Sequence, residues 1–258
     1  MKSSRSYILN DSAVEEYQRL DLMSKILDPW TREYVSALGV GPGWDCLELG
    51  GGNGSVAEWL SGRVGPTGTV TAIDINPVLL DLVPAQNITV QQADIRTAEI
   101  APSTYDLVSC RALLHQISEH ASDVLEKMAA AVKPGGWLLI QEPDFHLAPT
   151  TEPQSWSETW SGLIRWGHDN GVDWLIGRRM PSMVSRLGLG RPQAKTDMQN
   201  IRGPICRTSV ERTVERCTSS FSSLRSATGW WPVERSTRAP SMRRRHCLTI
   251  RNIGPSAG

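Results

Sequence analysis

No stretch of eighteen consecutive apolar residues occurs in this 258-residue chain, which argues against a transmembrane helix. The first six residues, Met1-Lys2-Ser3-Ser4-Arg5-Ser6, are basic but lack the apolar core of a secretory signal. Five cysteines without paired spacing argue against a disulfide framework and a zinc site. Cys46 and Cys110 sit inside apolar runs and read as small buried hydrophobes. His120, His146, His168 and His246 share no close ligand spacing, so no metal is expected. A reducing cytoplasm is the expected compartment, with no membrane partner.

Lysine and aspartate are missing from residues 203–258, which hold ten arginines and three glutamates, a net of +7. Residues 1–202 then carry 17 basic and 24 acidic side chains, so the formal neutrality of the chain hides two oppositely charged parts. The last part is rich in Ser, Thr, Arg and Pro and holds Cys206, Cys217 and Cys247. An apolar content of 40% supports a sizeable core, and the length fits one α/β domain with additions.

The densest signal is Glu48-Leu49-Gly50-Gly51-Gly52-Asn53-Gly54. It closes the apolar run Cys46–Leu49 and opens a helix-like segment from Ser55. Glycines let backbone approach a ligand closely, and a helix start offers unpaired N–H groups. Asp74 ends the next apolar run, Val70–Ile73, where a carboxylate can accept ribose hydroxyls. Further strands are predicted at Asn87–Ile95, Tyr105–Cys110 and Trp137–Glu142, the last after a Lys133-Pro134-Gly135-Gly136 turn. Strands alternating with helices predict a mostly parallel, doubly wound α/β sheet with helices on both faces. The glycine loop, Asp74, Asp94 and the segment after the fourth strand all fall at strand carboxyl ends, where such sheets bind ligands.

The acid-x-G-x-G-x-G spacing resembles motif I of the class I S-adenosylmethionine-dependent methyltransferases. It departs from the dinucleotide pattern G-x-G-x-x-G, since Ser55 stands at the third position and the glycine comes one residue early at Gly54. A plain tight turn, or an NAD site with a variant third glycine, is the alternative. The resemblance covers roughly residues 8 to 202. It implies S-adenosylmethionine as cofactor, held by Glu48, Gly50, Gly52, Asn53, Gly54, Asp74, Ile75, Asp94, Ile95 and Arg111. The aspartate after strand three typically accepts from the adenine amine. The position of Arg111-Ala112-Leu113-Leu114-His115 borders the methyl group in the family, so His115 is the candidate base and Arg111 its neighbour. Arg111 is expected to anchor an anionic acceptor or to pair with Glu142 or Asp144. Glu142 and Asp144, at the mouth of strand five, are candidates for orienting an acceptor. Ser109-Cys110-Arg111-Ala112 differs from the N-P-P-Y-type tetrapeptide of many nucleic-acid and protein methyltransferases, which points to a small-molecule acceptor.

Ser12-Ala13-Val14-Glu15 reads as a capping box opening one helix, and Asp28-Pro29 as the start of a second that stops at Gly39. Thr151 to Gly171 is an amphipathic stretch in which Trp156 and Trp160 share a face, either as an acceptor lid or as core. Arg178–Leu187 reads as a further helix and Arg191–Ile201 as a late antiparallel strand. The expected division is a methyltransferase domain over 1–202 and a poorly ordered basic tail over 203–258. Within the domain, 1–40 forms a helical cap, 45–142 the cofactor-binding core and 151–188 a helical acceptor region.

Two other functions compete. An NAD(P)-dependent oxidoreductase needs a Tyr-x-x-x-Lys pair or a comparable acid, and none stands out. A non-catalytic nucleic-acid binder would use the arginines around Arg243-Arg244-Arg245, a weak signal without interleaved aromatics. No convincing seventh strand is visible in the tail, so the C-terminal antiparallel hairpin is expected to be incomplete. Ten arginines without lysine or aspartate suggest a reading-frame change near Gly203.

Overall fold

The computed structural model describes residues 13–150, 152–190, 192–196 and 248–251. Five parallel strands form the centre: β1 (Asp45–Leu49), β2 (Thr69–Asp74), β3 (Ile88–Gln92), β4 (Tyr105–Arg111) and β5 (Val132–Gln141). The sheet continues with β6 (Gln193–Ala194) and β7 (Leu248–Arg251), and its order is β3-β2-β1-β4-β5-β7-β6. Strand order therefore reverses between β1 and β4. The crevice above their carboxyl ends is where ligands bind in open α/β sheets.

Burial explains the apolar runs. In β1, Cys46 and Leu47 lie on opposite faces of the sheet and both are fully buried. One core cluster holds Leu47, Val108, Leu138 and Met128; the other holds Cys46, Leu60, Val70 and Leu107. Each such side chain contributes roughly 1.5–3 kcal/mol on burial. The helices covering these faces are α1 (Ala13–Ala37), α2 (Ser55–Val64) and α3 (Ala121–Ala131). At the amino ends of the strands, Lys133 Nζ donates to both Asp45 and Asp106 at 2.8 Å, tying β5 to β1 and β4. Asn87 Nδ2 donates to the carbonyls of Ser61, Gly65 and Gly68, which joins the end of α2 to the start of β3.

Several expectations change. The two N-terminal helices are one, because Pro29 lies inside the 25-residue α1 rather than at a helix start. Pro removes one i→i−4 bond, and the packing of Tyr34 and Val35 beyond it keeps the helix running. The Ser12 cap lies outside the described residues. Lys133–Gly136 is not a turn before the fifth strand but an irregularity within β5, where the register with β4 shifts between Tyr105 and Leu107. The third strand ends at Gln92, two residues before Asp94. The Thr151–Gly171 stretch is helical as α4 (Gln154–Asp169), and the next helix is a short α5 (Met180–Ser185).

The hairpin is the main correction. Leu248–Arg251 supplies a seventh strand, antiparallel to both β5 and β6 and seated between them. The absence of such a strand was one premise of the frame-change reading and is removed by β7; the other, ten arginines without lysine or aspartate, stands in the sequence. The remainder of the tail, including Cys206, Cys217, Cys247 and Arg243–Arg245, lies outside the described residues, as does most of the expected sixth strand.

Candidate active site

The loop between β1 and α2 takes three left-handed residues, with φ of 72° at Gly50, 57° at Gly52 and 79° at Gly54. At Gly54 glycine is required twice, since a Cβ would collide with Val83 as well as strain the backbone. Gly50 N donates to Ile73 O (2.8 Å) and Gly52 N to Asp74 Oδ2 (2.9 Å), so the loop is pinned to the end of β2. Asp74 Oδ1 accepts from Asn76 N (2.9 Å). A carboxylate has about four acceptor sites, so the diol-binding capacity of Asp74 is not exhausted. Burial raises its carboxyl above the ordinary range, against the pull of the Asn76 and Gly52 amides.

Beside this loop opens a cavity of about 340 Å³. Of the expected cofactor residues, Glu48, Gly50, Gly52, Asn53, Asp74, Ile75, Asp94, Ile95 and Arg111 line it. Gly54 stands just behind, as the residue before α2. Glu48 is 5% exposed, and its Oε2 has no hydrogen-bond partner. Burial pushes its carboxyl up to about 8; Arg111 opposes the shift, and Asp74 and Asp28 add to it. A buried acceptor without a partner on a ligand-sized cavity is costly unless a ligand donor completes it. With the glycine cradle and Asp74, it fits a cofactor that carries a cationic amine and a ribose diol.

Asp94 is at the cavity but already engaged. Arg96 grips it through Nε (2.9 Å to Oδ1) and Nη2 (2.6 Å to Oδ2), which holds its carboxyl below the ordinary carboxylate range. Lys127 on α3 donates to the carbonyls of Ile95, Arg96 and Ala98 at 3.3, 2.9 and 3.1 Å, fixing this loop from below.

Helix α1 closes one side. Ser24 Oγ donates to Asn53 Oδ1 (3.1 Å), and Ser55 Oγ donates to Asp28 Oδ1 (3.1 Å). Arg111 Nη1 donates to Asp28 Oδ1 (2.8 Å) and Thr31 Oγ1 (3.0 Å). Arg111 thus pairs with neither Glu142 nor Asp144; α1 supplies its partner.

The acceptor-side expectations are largely reassigned. His115 is 4% exposed, donates from Nδ1 to Glu142 Oε2 (3.0 Å), lies with its ring 5.0 Å from Trp174, and does not line the cavity. The Glu142 side chain is fully buried and also accepts from the backbone N of Leu113, Leu114 and His115 at 2.9, 2.7 and 3.2 Å. Its acceptor sites are thus taken by the loop after β4, and none is free for a substrate. Asp144 pairs with Arg178 (2.9 Å) away from the cavity. Trp156 and Trp160 pack on each other at 5.9 Å, and Trp160 on Phe145 at 4.6 Å. The tryptophans on the cavity wall are instead Trp166 and Trp174, with Gln116, Glu119 and His120 nearby. No local pattern in the chain singled these out, except that Trp166 and Trp174 flank the end of the amphipathic stretch. Ala112, with φ 51°, is a left-handed non-glycine residue on the same wall. Among the described residues no cluster suited to a metal ion is present, and no helix is long and apolar enough to cross a membrane.

The family described as "Methyltransferase domain" matches residues 18–191. Ubiquinone/menaquinone biosynthesis C-methyltransferases are similar over 137 residues: 33% identical in Ectopseudomonas mendocina and 34% in Pseudomonas fluorescens. Each match covers 48% of this chain and 53% of the relative, so the chain spans about half the length of the curated relatives it matches. In fold it is similar to an arsenic(III) S-adenosylmethionine methyltransferase from Chlamydomonas reinhardtii, at TM-score 0.50 and 19% identity over 84% of this chain and 65% of that one. A phosphoethanolamine N-methyltransferase from Haemonchus contortus, in complex with S-adenosyl-L-methionine, aligns at TM-score 0.50 and 17% identity over 82% of this chain and 44% of that one. The chain belongs to the methyltransferase-domain family, and its parallel sheet and glycine cradle are those of the class I S-adenosylmethionine-dependent methyltransferases.

Proposed function

We propose that this chain binds S-adenosylmethionine in the cradle at the end of β1 and methylates a small-molecule acceptor. The observation that carries the reading is the buried, unpartnered Glu48 Oε2 above a loop of three left-handed glycines. Asp74 would hold the ribose hydroxyls, Ile75 and Ile95 would flank the base, and Asp94 would face its amine, sharing its carboxylate with Arg96. S-adenosylmethionine supplies a methyl group already activated on a sulfonium. The chain therefore needs only to position an acceptor and take up one proton. Glu119 and His120 line the cavity and are able to take that proton; His115 and Glu142 act by holding the loop that carries them. The same reading assigns residues 1–202 to the catalytic domain, with 151–188 closing the acceptor side. Residues 203–258 are basic by composition, and within them Leu248–Arg251 pairs with β5.

Calorimetric titration tests the cofactor. S-adenosylhomocysteine is expected to bind and NAD to fail, and Asp74→Ala to lose roughly tenfold to a hundredfold in affinity. Equal affinity in wild type and variant refutes the assignment.

A further inference from the structure

The strand order arranges the cavity in space. Asp94 follows β3, Asp74 ends β2, the glycine loop follows β1 and Arg111 ends β4, so the cofactor residues run across the sheet from its edge inward. Trp166 and Trp174 come from the segment after β5 and join the cavity at its β4 side. Asp173 N donates to His115 O (2.7 Å) and Ser118 Oγ to Gly171 O (3.0 Å), which docks that segment on the loop after β4. The two indoles therefore stand beyond the cofactor residues.

This wall is rigid. The Trp174 ring lies 5.0 Å from that of His115 and 5.6 Å from that of Phe145. Its edge rests on Gly167, where a Cβ would fall 2.5 Å from Trp174 Cδ1. Asn170 Nδ2 donates to Trp166 O (2.8 Å), fixing the end of α4 beneath it.

The charges on the wall are one-sided. Among the described residues, each arginine lining the cavity is already matched: Arg19 with Glu16 (2.6 Å), Arg96 with Asp94 (2.6 Å) and Arg111 with Asp28 (2.8 Å). The Asp74 and Glu119 carboxyls on the same cavity have no cation partner within ion-pair distance. An acceptor bearing a carboxylate or phosphate would enter desolvated, with no arginine or lysine free to meet it; the remaining basic group on the cavity, the His120 imidazole, acts on Asp94 at the cofactor side.

On the cofactor reading above, we infer that the acceptor is an uncharged flat ring that docks against Trp166 and Trp174, and that anionic acceptors are rejected. Ring-on-ring contact uses the indole faces and asks for no counter-charge.

The full chain, saturated with S-adenosylhomocysteine, is titrated calorimetrically with 1-naphthol, 1-naphthoate and ethanolamine. Naphthol is expected to bind and naphthoate to bind at least about tenfold more weakly, with ethanolamine weaker still. Trp166→Leu is expected to weaken naphthol roughly tenfold while changing S-adenosylhomocysteine affinity less than about twofold. Trp174→Phe, which keeps a ring against His115 and Phe145, should show a smaller loss in the same direction. Equal binding of naphthoate, tighter binding of ethanolamine, absence of naphthol binding, or an unchanged naphthol affinity in Trp166→Leu overturns the inference. Failure of S-adenosylhomocysteine to bind is seen before any ring is added and overturns the cofactor reading alone. The naphthol titration of the ligand-free wild type and Trp166→Leu proteins then decides the ring site.

Discussion

Arg111, the last residue of β4, donates to Asp28 in the middle of α1 at 2.8 Å, across 83 residues of sequence. Their side chains are only 15% and 11% exposed, and the same Asp28 oxygen accepts from Ser55 at the start of α2. One carboxylate thus joins the helix that covers the site to the strand and the helix that build it.

Removing that carboxylate strands a largely buried guanidinium. Asp28→Ala is expected to cost about 3 kcal/mol of stability, and the double variant Asp28→Leu/Arg111→Met to recover much of it. Chemical denaturation across the four-member cycle measures the coupling. An Asp28→Ala loss no larger than that of an exposed pair such as Lys25–Asp21 would show that the pair does not hold α1 down.

Glu48 makes the ligand-free protein less stable as pH rises. Its folded carboxyl titrates at about 8 against an ordinary 4.5, so the folded protein keeps a proton that the unfolded chain has already released. Its contribution to stability is present below the unfolded value and is lost as pH rises through that window, levelling above about 8. Glu48→Gln removes this dependence. The stability of the ligand-free variant relative to wild type, read by chemical denaturation, should climb between pH about 5 and pH about 8 by an amount on the order of a few kcal/mol, while its S-adenosylmethionine affinity falls. A pH-independent difference contradicts the burial account.

The role of His115 separates two mechanisms. A general base at this position would make His115→Gln lose about 10²–10⁴-fold in turnover. The ring's contacts with Glu142 and Trp174 instead make it a support for the loop after β4. Turnover per folded molecule is therefore expected to fall less than about tenfold, with a stability loss of roughly 1–3 kcal/mol for the freed Glu142 acceptor. Comparing active-site titre with folded fraction by circular dichroism distinguishes the two.

Lys127 has three carbonyl partners on the loop that carries Asp94 and Ile95. Lys127→Met should raise the KM for S-adenosylmethionine several-fold with little change in kcat, because the loop only binds cofactor in this reading. Discrimination between S-adenosylhomocysteine and its inosine analogue should shrink in parallel. Unchanged discrimination would reduce Lys127 to a fold-stabilising residue.

The cofactor half of the site was legible in the sequence because it is local. Glu48 through Gly54 is a single strand–turn–helix, Asp74 ends an apolar run, and both meet at strand carboxyl ends in any parallel sheet. The acceptor half was not. His115 and Glu142 looked available from their positions after β4 and β5, yet they face each other and satisfy the same loop. Trp156 and Trp160 shared a helix face as expected, but that face packs on Phe145. Composition hid β7, since four residues within an arginine-rich stretch pair antiparallel with β5 without any alternating run to announce them.

The sequence by itself determined the parallel sheet, the glycine cradle and the carboxylates at its rim. Hydrophobic period and glycine placement act over a few residues, and the topology of alternating strands and helices leaves one place for them to converge. Only the tertiary structure decided the partner of Arg111, the withdrawal of His115 and Glu142 from the cavity, and the choice of Trp166 and Trp174 for its wall. Those outcomes depend on which long-range polar groups compete for the same buried donors and acceptors, and that competition is settled by packing between segments far apart in the chain.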